Sequence, residues 1–94
     1  MPLDLIWSAL ARTRLQEIRH YTARDKPEAA ERLAIRIVAA VEALRNFPHL
    51  GRAGSQPGTR ELVIGKTPYI VVYRIEDDGI LITTVWHGTQ RYVP

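Results

Sequence analysis

Apolar residues recur at helical spacing in the first quarter of the chain. They stand three or four positions apart, and the arginines of the same stretch lie off this stripe. Such a period places the apolar side chains on one side of an α-helix. Ser8 precedes the stripe and can cap the helix, because its hydroxyl accepts a hydrogen bond from a free amide of the first turn. The pattern predicts a helix from Ser8 to near Arg24, with an apolar stripe of Ala11, Leu15, Ile18 and Thr22.

A second helix is predicted to start at Pro27. Proline suits the first helical position, because the N–H that it lacks would have no partner there. Glu28 and Glu31 follow and favour the positive end of the helix dipole. Asn46 and Pro48 close an apolar stripe that consists of Ala30, Leu33, Ile37, Val41 and Leu44. Because the turn between the two helices is so short, they should form an antiparallel hairpin.

Alternating apolar residues predict four strands, one before the helices and three after them. The segments are LDLIW (3–7), TRELVI (59–64), YIVVYRI (69–75) and ILITTVW (80–86). Residues 48–58, PHLGRAGSQPG, hold three glycines and two prolines and are predicted to be a loop. The Asp78-Gly79 pair of EDDG suits the positive φ angles of a hairpin turn. The last three strands should therefore form an antiparallel meander.

Side chains of the final hairpin should alternate between the two faces of the sheet. In-register pairing across EDDG predicts that Arg74 and His87 share one face with Ile70, Val72, Leu81, Thr83 and Val85. The other face carries a bulkier and uncharged set, which we expect to pack against the helical hairpin while Arg74 and His87 point outward. This set is Tyr69, Val71, Tyr73, Ile75, Ile80, Ile82, Thr84 and Trp86.

The order of the elements predicts an α+β fold. An N-terminal strand and a C-terminal three-stranded meander form a mainly antiparallel sheet, and the antiparallel two-helix hairpin packs on one face of it. The 94 residues are enough for one self-sufficient core, so the expected organisation is a single domain over residues 1–94.

The amino-acid composition limits which kinds of site and which cellular location we expect. The chain has no cysteine, which excludes disulfides and thiolate zinc sites and favours a reducing cytoplasm. Its three histidines are far apart in sequence and make a poor metal set. Asp4 interrupts the N-terminal apolar residues too early for a secretion signal, and no long apolar run suggests a membrane span. We expect a cytoplasmic protein with no metal, cofactor, membrane or small-molecule substrate.

The positive charge is concentrated in one part of the chain. The net charge is +3, and 11 of the 13 cations are arginine. From Arg45 to Arg74 there are five cations and one acid, Glu61. The planar guanidinium suits phosphate oxygens and the carboxylates of an acidic partner. An arginine-rich codon usage explains the count equally well, but it does not explain the clustering.

The phrases LGR, GTRELVIG, VYRI and VWHG occur in this order after a helical hairpin, and together they resemble the RelE/ParE superfamily of toxins from bacterial type II toxin–antitoxin modules. The resemblance extends over nearly the whole chain. It implies a compact toxin of a plasmid-stabilisation (addiction) module, neutralised by a cognate antitoxin encoded in the same operon. It also implies one of two targets. RelE-like members cleave mRNA in the ribosomal A site, and ParE-like members bind DNA gyrase and trap its cleaved DNA complex.

Two features of the resemblance separate these targets. The phrase FPHLGR (47–52), the G-x-R strand and the histidine-glycine pair after the last strand are similar to ParE-like toxins. RelE-like toxins usually carry an essential arginine late in the second strand, where this chain reads VIGK with Gly65. Lys66 could replace it as a point charge, but without the bidentate fork. We therefore favour a ParE-like gyrase poison and keep a RelE-like, ribosome-dependent mRNA endoribonuclease as the alternative.

The candidate site residues differ between the two alternatives. Metal-free RNA cleavage needs a base, an acid and cations on the phosphate. Under the RelE-like alternative the catalytic residues would be Arg60, Arg74, His87 and Tyr92. The predicted target-binding residues are Arg52, Arg60, Lys66, Arg74, His87 and Arg91.

Each of these residues also has a purely structural interpretation. Arg60 and Arg74 could form surface ion pairs with nearby acids, and His87 could be a half-buried hydrogen-bonding residue. The Tyr92 ring could cover apolar surface with its hydroxyl in water.

Overall fold

Five strands form one mixed sheet in the order β1-β5-β4-β3-β2. The architecture is that of a computed structural model, which describes residues 2–88. Strand β1 runs parallel to β5, and all other neighbours are antiparallel. The predicted α+β fold, with two helices and a C-terminal meander, is confirmed. The elements are β1 (Asp4–Trp7), α1 (Ala9–Ala23), α2 (Pro27–Glu42), β2 (Arg52–Ala53), β3 (Arg60–Val63), β4 (Tyr69–Glu76) and β5 (Gly79–His87).

The helices begin where the sequence predicts. The Ser8 hydroxyl accepts the N–H of Ala11 at 3.0 Å and donates to the carbonyl of Thr83 on β5 at 2.9 Å. Ser8 therefore caps α1 and ties its first turn to the sheet. Pro27 is the first residue of α2, which continues into a 3-10 turn, Ala43–Arg45. In the described part of the chain, neither helix is long and apolar enough to cross a bilayer.

The core lies between the two helices and one face of the sheet. The apolar stripe of α2 is its main helical contribution, because Ile37, Val41 and the following Leu44 are fully buried. Burial of a side chain of this size stabilises a fold by about 1.5 to 3 kcal/mol. The sheet contributes Leu62, Ile64, Val71, Tyr73, Ile80, Ile82 and Val85.

A β-bulge in β5 divides the last hairpin into two halves. Tyr73 pairs with Ile82 but Val72 pairs with Thr84, so Thr83 is an extra residue between them. One additional residue reverses the alternation of the side chains beyond it. The register before the bulge agrees with the prediction, and Ile80 and Ile82 face the core. The prediction that Val85 and His87 share an outward face with Arg74 is wrong, because Val85 is buried in the core and His87 pairs with Tyr69.

The same bulge changes the position of two residues predicted to lie beneath the helices. In the register Thr84 pairs with Val72 and Trp86 pairs with Ile70, on the face opposite the core. The ring centroid of Trp86 is 5.7 Å from the guanidinium carbon of Arg14, on α1. The tryptophan is therefore half-buried against a cation.

The segment predicted to be a loop over residues 48–58 contains strand β2. Arg52 pairs with Glu61 and Ala53 pairs with Arg60, both on β3. Two residues are too few for an alternating pattern, so this pairing leaves no signal in the sequence.

The hydroxyl of Tyr73 holds the start of the 48–58 segment against the core. It accepts the N–H of Gly51 at 2.9 Å and donates to the carbonyl of Pro48 at 2.6 Å. Burial raises the pKa of Tyr73, and the hydrogen bond from Gly51 and the charge of Arg60 offset part of this increase. Gly51 has no room for a side chain, because a Cβ there would lie 2.7 Å from the Tyr73 ring.

We expect Ser8→Ala to reduce the free energy of unfolding by about 1 to 2 kcal/mol, because it leaves the Ala11 N–H and the Thr83 carbonyl without the serine hydroxyl. Urea titration followed by circular dichroism would measure the change. Ser55→Ala, at an exposed turn position, is the matched control and should leave the midpoint unchanged. Equal midpoints for all three proteins would contradict the proposed tie between α1 and β5.

We expect Tyr73→Phe to lower the free energy of unfolding by about 1 to 3 kcal/mol, because two backbone groups lose their buried partner. Since the folded protein holds the phenol proton more tightly than the unfolded chain, the tyrosine contribution is complete below its ordinary pKa of 10.0 and declines as pH rises through the folded-state pKa. Stability of the parent should thus fall more steeply above pH 10 than that of the variant. Parallel pH dependences of the two denaturation midpoints would contradict this assignment.

Candidate target-binding surface

The predicted cations do not converge on one site. The register places Arg60 next to Tyr73 on the helix-facing side of the sheet, whereas Arg52 and Arg74 belong to the opposite face. Arg91 and Tyr92 lie outside the described residues. The described candidates are therefore divided between the two faces and the end of β5.

The hydrogen bond and the burial of Arg60 indicate a structural role. Its Nη1 donates to the carbonyl of Gly51 at 2.6 Å, and its side chain is half-buried. Both backbone polar groups of Gly51 are thus bonded, the carbonyl to Arg60 and the N–H to Tyr73. A guanidinium engaged in this way fixes the loop and has less freedom to clamp a phosphate.

Arg52 and Arg74 present their charge to solvent. Arg52 donates to Oε1 of Glu61 at 3.3 Å, but 58% of the arginine side chain and only 4% of the glutamate side chain are exposed. Arg74 Nε lies 3.7 Å from a carboxylate oxygen of Glu76, and both side chains are substantially exposed. The exposed Arg74–Glu76 pair contributes about 0 to 1 kcal/mol to stability, so it leaves the Arg74 guanidinium available for a partner. The ion pair expected under the structural interpretation of Arg74 is present, with Glu76 as the partner.

His87 lies at the end of β5 against an aromatic partner. Its ring is 5.5 Å from that of Tyr69, at an interplanar angle of 87°. Burial raises the pKa of Tyr69, and a hydrogen bond with Thr22 of α1 opposes this effect. The pair therefore belongs to the helix-facing side, as the bulge requires.

A groove of about 410 Å³ runs between α1 and the end of β5. Arg14 lies along it, and its Nε atom is buried without a hydrogen-bond partner among residues 2–88. Glu17 forms an exposed ion pair with the same guanidinium at 3.3 Å. The groove is lined by Arg14, Glu17, Ile18, Tyr21, Tyr69, Val85, Trp86 and His87.

Lys66 occupies the turn between β3 and β4 in an unusual conformation. Its φ angle is 64°, in the left-handed region that residues with a side chain seldom adopt. It is exposed, and the preceding Gly65 has open space around it. The turn therefore places a single exposed ammonium group at the end of the β3–β4 hairpin, whereas Arg60 lies at the opposite end of β3.

The remaining histidines do not assemble a metal site. His20 on α1 and His49 before Gly51 are both exposed. Within residues 2–88, no three histidine, aspartate or glutamate side chains come close enough to hold a metal ion.

The sequence analysis did not identify two exposed apolar residues of the FPHLGR segment. Phe47 is 64% exposed and Leu50 is 58% exposed. The N–H of Leu50 donates to the carbonyl of Phe47 at 3.1 Å, so both side chains belong to one turn. The available signal was the presence of two large apolar residues in a segment without hydrophobic period, which no core position explains.

Comparisons with known proteins agree on one superfamily of toxins. Residues 5–92 match the model of the ParE toxin of the type II toxin–antitoxin system parDE. A protein of Sinorhizobium fredii named "Putative toxin Y4kP" is 45% identical over 86 residues, which cover 92% of this chain and 88% of that protein. Toxin RelE2 of Caulobacter vibrioides is 31% identical over 87 residues, which cover 93% of this chain and 97% of that protein.

A solved structure confirms the likeness at the level of the fold. The chromosomal ParDE toxin–antitoxin system from P. aeruginosa contains a chain that superimposes with a TM-score of 0.84 at 25% identity, covering 90% of this chain and 95% of that one. The resemblance proposed from the LGR, GTRELVIG, VYRI and VWHG phrases is thereby confirmed. The chain belongs to the ParE toxin family, within the RelE/ParE superfamily of type II toxin–antitoxin toxins.

Proposed function

We propose that this toxin arrests growth by binding DNA gyrase and trapping its cleaved DNA complex, and that it acts in the cytoplasm without catalysis of its own. The observation that carries the proposal is the separation of the groups that RNA cleavage would need. His87 lies on the helix-facing side beside Tyr69, whereas Arg74 belongs to the opposite face. A general base and a phosphate clamp must meet around one reacting atom.

The engagement of Arg60 supports the same interpretation. Its guanidinium is tied to the Gly51 carbonyl, where it stabilises the loop that precedes β2. A poison of a large enzyme needs a rigid protein surface with exposed side chains, and the cations and apolar residues around β2 provide one. The match of residues 5–92 to the ParE toxin model also favours a ParE-like target.

A cognate antitoxin is the second proposed partner. The ParDE system from P. aeruginosa is a toxin–antitoxin system whose toxin-like chain shares this fold. The outer side of α2 carries Ile35 at 65% exposure and Val38 at 38%, next to the exposed Arg32 and Arg36. An apolar strip flanked by arginines suits an acidic, amphipathic antitoxin segment, which would bury the strip and pair with the guanidinium groups.

The second candidate function is a RelE-like, ribosome-dependent endoribonuclease. It is favoured by the 31% identity with Toxin RelE2 of Caulobacter vibrioides over nearly the full length of both chains. Under this candidate Arg60, Arg74, His87 and Tyr92 would be the catalytic residues. The ribosome would have to supply the groups that the described residues do not bring together.

Two assays on one preparation separate these candidates. We expect purified toxin to inhibit supercoiling by gyrase and to increase the amount of cleaved DNA, and the cognate antitoxin should reverse both effects. A translation extract with the same toxin should keep its mRNA intact. Cleavage of mRNA that depends on ribosomes, with supercoiling unaffected, would support the RelE-like candidate and exclude the gyrase proposal.

We expect His87→Gln to leave the growth arrest nearly unchanged, within about threefold in the toxin dose required, because a binding protein needs no imidazole for proton transfer. General acid–base catalysis contributes about 10² to 10⁴ in rate, so an endoribonuclease that uses His87 would lose nearly all activity. Induced expression without antitoxin, with toxin amounts measured by immunoblot, makes the comparison. Tyr69→Phe, which retains the ring beside His87, is the control for local packing.

A further inference from the structure

We propose that the turn Phe47–Leu50, together with Arg52, is the toxin's contact with gyrase. The two apolar side chains would enter a hollow of the target protein, and Arg52 would pair with carboxylates at its rim. This surface rests on the proposed function and specifies the part of the toxin that performs it. We name these residues the FPHLGR knob.

The exposed apolar area is the first argument. Phe47 and Leu50 expose 64% and 58% of their surface, and only two residues separate them. Aromatic side chains at the centre of an interface supply much of its binding energy, because they bury a large area with few rotatable bonds. Neither side chain belongs to the core cluster, which includes Leu44 and Tyr73, or to the apolar residues packed against it.

The rigidity of the backbone is the second argument. The Tyr73 hydroxyl bonds to both Pro48 and Gly51, and Arg60 holds the Gly51 carbonyl. The turn itself is closed by the bond from Leu50 N–H to Phe47 O. A loop that is already held in one conformation loses less entropy when it binds, so more of the contact energy appears as affinity.

The charge around the knob identifies the kind of partner. Residues 46–60 contain no carboxylate, and they include Arg52 and Arg60. Arg52 exposes 58% of its side chain, whereas the side chain of its partner Glu61 is only 4% exposed. The surface beside the apolar turn is therefore positive, which favours a protein hollow lined with acidic residues.

The knob is distinct in position from the α2 strip assigned to the antitoxin. The strip lies on a helix and contains Ile35 and Val38, whereas the knob lies on the loop that follows the 3-10 turn. Variants of the two surfaces can therefore separate target binding from antitoxin binding.

The test compares four variants of the toxin: Phe47→Ser, Leu50→Lys, Leu50→Glu and Leu10→Ser. We expect Phe47→Ser to raise the toxin concentration needed for half inhibition of supercoiling at least tenfold. Leu50→Glu should weaken inhibition several times more than Leu50→Lys, because both substitutes are polar but only the glutamate carries a charge that acidic groups repel. Leu10→Ser, at an exposed apolar position of α1, is the matched control and should inhibit gyrase like the parent.

Thermal denaturation and antitoxin binding of each variant, measured by calorimetry, report on the fold. Direct binding to gyrase without DNA distinguishes a protein contact from a contact with phosphates. If the parent inhibits gyrase and the knob variants do so equally well, the knob proposal is overturned while the proposed function stands. Equal effects of Leu50→Lys and Leu50→Glu would overturn the acidic rim. If the parent itself fails to inhibit gyrase, the proposed function fails and the knob's assignment to gyrase fails with it.

Discussion

The extra residue Thr83 in β5 determines how the rest of the protein is arranged. It lies where β1 ends its pairing with β5 and where α1 begins, since Ile82 is the last partner of β1 and Ser8 donates to the Thr83 carbonyl. Without the bulge, Val85 would leave the core and His87 would turn to the other face. The bulge and its hydrogen bond with Ser8 therefore position the first helix and determine which side chains of the last strand face it.

The bulge separates groups that the RelE-like alternative would need together, and this separation is the basis of the proposal that the toxin binds its target without catalysis. Strong cation clamps and a proton-transfer group are useful to an enzyme only when they surround one point in space. In the described chain Arg74 and His87 lie on opposite faces of the sheet, and Arg60 is part of the framework. The same framework holds the loop before β2, and the ring of Tyr73 leaves no room there for a side chain at Gly51.

Much of the fold could be read from the sequence. Helical spacing located α1 and α2, Ser8 and Pro27 marked their starts, and alternation located β3, β4 and β5. These features are local, because each depends on the preference of a short segment for one side buried and one exposed. For the candidate site the sequence identified Arg52, Arg74 and Lys66 as exposed cations, and the structure places all three at the surface.

The remaining features depend on contacts between distant residues. No local pattern predicts which residue of β5 is extra, that Tyr73 would hold Gly51 and Pro48, or that Phe47 and Leu50 would be left in solvent. The sequence by itself determined both helices, four of the five strands, the family and the supply of arginines. The tertiary structure alone decided which of those arginines support the fold and which remain exposed, because a guanidinium acquires its role from the groups that the chain folding brings within hydrogen-bond distance.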